Sequence, residues 1–340
     1  MKVAIIGAGV MGLSCAMECA QIEGVSVSLY HDPSSQSASR YAGGMLAPFS
    51  ESDSLSNELQ ALAVTHSLPF WKELCDRFKT YFRETGTLVL AHPEDKTLLK
   101  RFEMHLPQGV YEYLDDVCGK EPTLSTRIQD GLWVYDESYL DTAQILKAMK
   151  DYIQNHHTLI EQHVNPENLN GFDAIIDCRG IGSDMKGLRA IKGERALIKC
   201  PDLNLQHCIR LMHPRYALYV VPHDEDIYMV GASMIEDNTS DKVSVRSALE
   251  LLSAFSSLSP LALEAEILSI DAGFRPTFET HIPKVLRQGH IYRANGLYRH
   301  GFLLSPVMAK VIVSDIVKDE VKPEFNILFQ EEKELHETHH

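Results

Sequence analysis

The first thirty-two residues constrain this chain more than any other stretch. Met1-Lys2-Val3-Ala4-Ile5-Ile6 is a short apolar run that enters Gly7-Ala8-Gly9-Val10-Met11-Gly12. A helical segment follows, and Val25-Ser26-Val27-Ser28-Leu29-Tyr30-His31-Asp32 is a second β-rich run ending in a polar pair. Strand, glycine turn, helix and strand within about 30 residues predict one β-α-β unit that binds a dinucleotide. Gly7 suits the tight turn, Gly9 admits a pyrophosphate to the backbone, and Gly12 lets helix and strand pack closely. The helix N-terminus adds N–H groups and a positive dipole end. The position that usually carries the ribose-binding acid is His31 when counted from Gly24, with Asp32 next, so either residue is a candidate.

A chain of 340 residues, 44% of them hydrophobic, buries a large core and predicts two domains. The net charge of -15 argues against a nucleic-acid surface. Seven cysteines without a C-x-x-C pair, Cys15 and Cys19 among them, read as small buried residues in a reducing compartment. The glycine turn interrupts the first apolar run before it could span a bilayer, and no charged segment precedes a signal-like core. These features predict a cytoplasmic protein with no membrane partner. His213 and His223 read as loop histidines outside any metal-ligand spacing, so no metal is expected. The segment 326–340 reads as a solvated tail.

Farther along, Ser39-Arg40-Tyr41-Ala42-Gly43-Gly44-Met45-Leu46-Ala47-Pro48 sets two glycines among small and apolar residues, where a flat cofactor ring fits. Residues 57 to 82 read as helices broken near Pro69, with Trp71 in the core. Phe172 to Asp177 is a buried strand entering a turn at Gly180 and Gly182, and Arg195 to Ser233 reads as an antiparallel sheet with Tyr216, Tyr219 and Tyr228 in it. Asp271-Ala272-Gly273-Phe274-Arg275-Pro276-Thr277 reads as a tight, proline-bounded segment. Leu297-Tyr298-Arg299-His300-Gly301-Phe302-Leu303-Leu304-Ser305-Pro306 leads into a helix from Val307, for which Pro306 is a fitting start.

With these segments in view, the chain resembles the FAD-dependent D-amino-acid oxidase family from residue 1 to about 318, most closely its glycine-oxidising branch in thiamine thiazole synthesis. Gly-Gly-Met-Leu-Ala-Pro at 43–48 and Tyr-Arg-His-Gly at 298–301 are the most discriminating stretches. The resemblance implies an α/β fold: a doubly wound, Rossmann-like FAD domain from residues 1–80, 140–190 and 285–325. An antiparallel-sheet substrate cap would come from 81–139 and 191–284. It implies that Val10 and Met11 lie under the pyrophosphate, with His31 and Asp32 at the ribose. Ser39, Gly43, Gly44 and Met45 would pack along the flavin and Val164 would meet the adenine. Leu297, Tyr298, His300, Gly301, Phe302 and Leu303 would wrap the pyrimidine edge. Arg275 would clamp the substrate carboxylate and Arg299 would be a second positive group near it. The segment after Arg275-Pro276 runs Thr277-Phe278-Glu279-Thr280-His281-Ile282-Pro283-Lys284 without the glycine-containing turn of many relatives, so that loop departs from the pattern.

The implied activity is oxidative deamination of glycine by O2 to the imine or glyoxylate, ammonia and H2O2. Oxidation of sarcosine, proline or a D-amino acid is an alternative, and an FAD-binding protein without turnover is another. A homo-oligomer is expected on resemblance alone.

Overall fold

A computed structural model describes residues 1–52, 55–214, 218–236 and 240–331. It contains two compact units, each built from separated stretches of chain. The first comprises Met1–Arg40, Leu146–Ala190 and Arg275–His340, the second Tyr41–Ile145 and Ile191–Phe274. The division after Arg40 differs from the boundary near residue 80 expected from sequence, so the Gly43-Gly44 segment and the helices up to Phe78 belong to the second unit.

The first unit holds a seven-stranded sheet in the order Phe329–Glu331, Lys284–Gln288, Ile291–Asn295, Ala174–Asp177, Lys2–Ile6, Ser26–His31, Thr158–Glu161. Its central pairings are parallel, with Val3 opposite Ala174 and Val27. Val3 to Ile6 and Ala174 to Asp177 are buried throughout, the continuous apolar pattern of a parallel strand covered on both faces. The helix Val10–Ala20 and the C-terminal helix Gly301–Lys318 pack together, joined by a buried hydrogen bond from Ser14 Oγ to Ser305 Oγ of 3.0 Å.

Two expectations are corrected here. The C-terminal helix begins at Gly301, six residues before the start read from sequence, and carries Pro306 inside it. Pro306 removes one hydrogen bond of the helix ladder, yet it is fully packed and the helix continues through it. The tail also begins later, because Phe329–Glu331 adds a parallel strand beside Lys284–Gln288, anchored by buried Phe325 and Leu328. Residues 332–340, with His339 and His340, lie outside the described residues.

The second unit is organised on an eight-stranded sheet in the order Glu266–Thr277, Arg189–Lys199, Ile227–Gly231, Leu218–Pro222, Cys208–Met212, Thr87–Ala91, Gly131–Val134, Tyr111–Leu114. From Arg189–Lys199 to Tyr111–Leu114 the pairings are antiparallel except for Cys208–Met212 beside Thr87–Ala91. One face carries Ala196, Ile198, Leu218, Val220, Tyr228 and Val230, which share a core with Leu251, Phe255 and Leu258 of the helix Val245–Leu258. Truncating a side chain as enclosed as Phe255 to alanine costs about 3–5 kcal/mol. The strand Glu266–Thr277 contradicts the tight segment expected at 271–277; it forms the sheet edge, the one place where Pro276 costs no ladder bond. Trp71 is fully buried, and the helices Asn57–Leu62 and Leu68–Phe78 flank a π turn with Pro69 in the first turn of the second. All seven cysteines are free, six of them buried, and burial raises the Cys19 thiol to about 12.

Candidate functional site

In the first unit the glycine turn closes as a cradle. Gly7 has φ +106°, and a Cβ there would lie 2.5 Å from the Cys178 carbonyl oxygen. Its N–H donates to Tyr30 O at 2.9 Å, locking the turn to the second strand. A Cβ on Gly12 would lie 1.8 Å from the Gly7 oxygen, and one on Gly9 would lie 2.9 Å from Ser37 Oγ. The helix that follows begins at Val10 with Gly9 as its cap, no capping side chain and no acid in its first turn. Val10 N–H donates to Ser39 Oγ at 2.9 Å, which brings the sequence-predicted Ser39 onto the cradle. Val10, Met11 and Gly12 are buried.

The second helix start lies beside the first. Gly301 is in contact distance of Val10, its Cβ position 3.5 Å from Val10 Cγ1. This helix is capped by buried His300, again with no capping side chain and no acid in the first turn, while Phe302 and Leu303 are enclosed. Backbone N–H groups at a helix start need acceptors, and two neighbouring starts of this kind form a pocket of positive partial charge for an anionic or electron-rich ligand. The pyrophosphate and pyrimidine edge of FAD have this chemistry, and the residues present fit them.

The approach to the second helix is fixed by a turn. Tyr298 adopts φ +50°, donates its N–H to Pro276 O at 2.9 Å, and stacks on His281 with ring centroids 4.6 Å apart. His281 Nδ1 lies 3.0 Å from Thr277 Oγ1. The glycine-free loop after Pro276 is thus organised by a histidine stack. Arg275, half-buried on the strand Glu266–Thr277, immediately precedes the Pro276 that holds Tyr298, and buried Leu297 and half-buried Arg299 flank Tyr298. The same unit contains His31 as the last residue of its strand, with burial and Lys150 holding the imidazole below its usual value. Asp32 follows it, its carboxylate accepting from Ser34 N at 2.9 Å, Ser34 Oγ at 2.6 Å and His163 Nδ1 at 2.9 Å. Hydrogen bonds from Ser34 and His163 hold Asp32 at about 2, so both of its oxygens are engaged. Val164 packs against the apolar cluster of Ala4, Ile6, Tyr30 and Ile175.

The second unit contains Gly43, Gly44 and Met45. Gly44 has φ +82°, and a Cβ there would lie 2.1 Å from Leu140 O. Met45 pairs with Tyr139. Gly43 lies on Met229 and Val221, its Cβ position 2.1 Å from Met229 Cε, so this segment crosses the sheet face opposite the helix Val245–Leu258. His223 Nε2 donates to Gly43 O at 3.0 Å, while Nδ1 is 3.9 Å from Asp141 Oδ2. His223 is therefore a buried clamp on the glycine segment and not the loop residue the sequence suggests; burial pushes its pKa down. Tyr228 faces the apolar core and its hydroxyl accepts from Leu205 N at 3.2 Å, Tyr219 lies on the opposite face near Arg210, and Tyr216 is outside the described residues.

Two groups escaped the sequence reading. Glu137 is fully buried and accepts from Phe49 N at 2.9 Å, Ser50 N at 2.7 Å and Ser50 Oγ; burial pushes it up to about 7 against these bonds. Arg195 is buried opposite Gly231 with its guanidinium 5.5 Å from the centroid of Tyr41, which itself lies on Gly273. The available signal was the pair Glu194-Arg195 directly before the apolar run Ala196-Leu197-Ile198.

Residues 2–314 match the family DAO, FAD dependent oxidoreductase. A Rhizobium etli protein whose name, ThiO, places it among thiamine biosynthesis oxidoreductases is 33% identical over 95% of this chain and 99% of its own. The fold is shared with glycine oxidase from Geobacillus kaustophilus (TM-score 0.78, 22% identity, 94% of this chain and 95% of that one). It is shared as well with iminodiacetate oxidase from Chelativorans sp. BNC1 (TM-score 0.82, 19% identity, 97% and 99%). With a glycine cradle and paired bare helix starts suited to the cofactor, and a family match over nearly the whole chain, the protein belongs to the FAD dependent oxidoreductases and its cofactor is FAD.

Proposed function

We propose that the chain is an FAD-dependent glycine oxidase: glycine, O2 and water yield glyoxylate, ammonia and H2O2, by way of an imine that serves thiamine thiazole synthesis. The likeness to ThiO over almost the full length of both chains supports the pathway, and a 29% likeness to a Geobacillus kaustophilus glycine oxidase over 38% of this chain supports the substrate. The structural observation that carries the reading is the pair of adjacent helix starts at Val10 and Gly301, whose cap residues Gly9 and His300 supply no side-chain acceptor.

When bound, FAD supplies the acceptor for the two electrons of the substrate Cα–H bond. The chain's residues do the positioning. Gly7, Gly9, Val10, Met11 and Gly12 hold the pyrophosphate, with Ser39 fixing the first helical N–H. His31 stands at the ribose, because Asp32 is committed to Ser34 and His163. Val164 meets the adenine. Gly43, Gly44 and Met45 lie along the flavin, and Leu297, Tyr298, His300, Gly301, Phe302 and Leu303 enclose its pyrimidine edge. Cofactor binding is thereby assigned chiefly to the first unit. Arg275 clamps the substrate carboxylate with a planar bidentate fork, and Arg299 adds a second positive group. With the amine neutral, no side chain has to act as base, and catalysis is orientation. We place the enzyme in the cytoplasm and, by family resemblance, read it as a homo-oligomer.

The test is one cuvette. Glycine added without oxygen is expected to bleach the flavin bands, and air to restore them with release of H2O2. Bleaching by sarcosine, proline or D-alanine but not by glycine would move the substrate, and bands that ignore all of them would remove the activity.

A further inference from the structure

Residues 162–165 are held at the carboxyl ends of the strands that carry the glycine cradle, and they are held by polar bonds more than by packing. Gln162 N–H donates to His31 O at 2.9 Å, and His163 Nδ1 lies 2.9 Å from Asp32 Oδ2, both at the end of the strand Ser26–His31. On the other side Asn165 Oδ1 accepts from Arg179 Nη1 at 2.7 Å, just beyond the strand Ala174–Asp177. Between these two strands in the sheet lies Lys2–Ile6, which runs into Gly7. Gln162, His163 and Asn165 are exposed, and Val164 between them is half-buried.

The bond to Asn165 is prepared from beneath. Fully buried Asp177 accepts from Arg179 N–H at 3.1 Å, Nε at 2.9 Å and Nη2 at 3.0 Å, and from Ser183 Oγ at 3.0 Å. Two side-chain bonds to one carboxylate fix the plane of the guanidinium, so Nη1 is aimed at Asn165 before any ligand arrives. Arg179 is also tied to the glycine turn, since a Cβ on Gly7 would lie 2.5 Å from Cys178 O and 3.2 Å from Arg179 N. The turn and Asn165 therefore share one support. Ordering an exposed segment costs conformational entropy that apolar burial does not return here, and this segment is ordered where open α/β sheets bind their ligands, outside the carboxyl ends of the strands.

Resting on the placement of FAD proposed above, with its adenine at Val164, we propose that Asn165 and Arg179 are positioning residues that hold 162–165 as a strap against the adenosine half of the cofactor, and so set the preference for the dinucleotide FAD over the mononucleotide FMN.

The test starts from the FAD-loaded enzyme. FAD released on dilution is read by its fluorescence, and ADP and FMN are titrated as competitors that each carry one half of the cofactor. In Asn165→Ala, which leaves the pair of Asp177 and Arg179 intact, the dissociation constants for FAD and ADP are expected to rise roughly three- to tenfold, as one hydrogen bond to a charged group is lost at an exposed site, while that for FMN is unchanged. Asn165→Asp restores an acceptor and returns FAD and ADP toward the parent values. Arg179→Lys keeps a charge beside Asp177 without the fork and gives the same selective loss. Equal weakening of all three ligands in Asn165→Ala overturns the proposal, because the bond then only supports the cradle. Unchanged constants overturn it too, as does ADP that fails to displace FAD from the parent. None of these constants needs turnover, so an enzyme that ignores glycine but shows the selective loss gives up the glycine oxidase reading and keeps the strap.

Discussion

A Cβ on Gly12 would sit 1.8 Å from the carbonyl oxygen of Gly7, five residues earlier in the same cradle. The obstacle is backbone, which cannot swing aside as a side chain can, so the first helix must move away from the first strand if the position is filled. Gly12→Ala is expected to cost about 1–3 kcal/mol by overpacking and to yield protein largely free of FAD. The ratio of flavin to protein absorbance, read with the melting temperature, checks this.

Arg275→Ala is expected to raise KM for glycine roughly ten- to a hundredfold, the equivalent of about 1.5–3 kcal/mol for a charged hydrogen bond. Arg275→Lys keeps the charge without the fork and recovers only part of the loss. Steady-state peroxide release against glycine concentration is the measurement, and an unchanged KM would remove Arg275 from the carboxylate.

Glu137 gives the second unit a pH dependence of unusual sign. Its folded value of about 7 lies above the ordinary 4.5, so the native state holds the proton more tightly than the unfolded chain does. The stability it contributes is complete below pH 4.5 and is lost as pH rises to about 7, by up to roughly 1.4 kcal/mol per pH unit. Glu137→Gln keeps an oxygen for the Phe49 and Ser50 N–H groups and cannot ionise. Its melting temperature is expected to lose this slope between pH 4.5 and 7 in thermal scans.

His223 has the opposite sign. Burial lowers its pKa, so its stabilisation is complete above the unfolded value near 6.5 and is lost as pH falls through the folded value. His223→Ala leaves the Gly43 carbonyl without its donor and is expected to cost about 1–3 kcal/mol. Hydrogen exchange of the 41–46 backbone amides, faster in the variant, separates loss of this clamp from general destabilisation.

The nucleotide cradle was legible because its glycines, strand and helix are contiguous in sequence and each follows from local sterics. Ser39 and the Tyr298 turn were reachable only through resemblance, since what places them is a bond to Val10 and another to Pro276. Local signals misled in two places. Pro276 and Gly273 look like turn residues, but an edge strand tolerates both; Pro306 looks like a helix start, but the packing of Gly301 to Leu304 extends the helix ahead of it. Nothing in the sequence signals that Asp32 is bonded by Ser34 and His163, because His163 lies far along the chain.

The strand Lys2–Ile6 is made before both of its neighbours, Ser26–His31 and Ala174–Asp177, and the latter pairs in turn with Ile291–Asn295. At about 5–20 residues per second, the opening strand waits on the order of ten seconds for its far neighbour to leave the ribosome, with one apolar edge open throughout. The cradle is thus written well before the sheet around it can close. A chain halted just before Ile291 would carry an unpaired Ala174–Asp177 edge and is expected to aggregate, whatever the integrity of its first thirty residues.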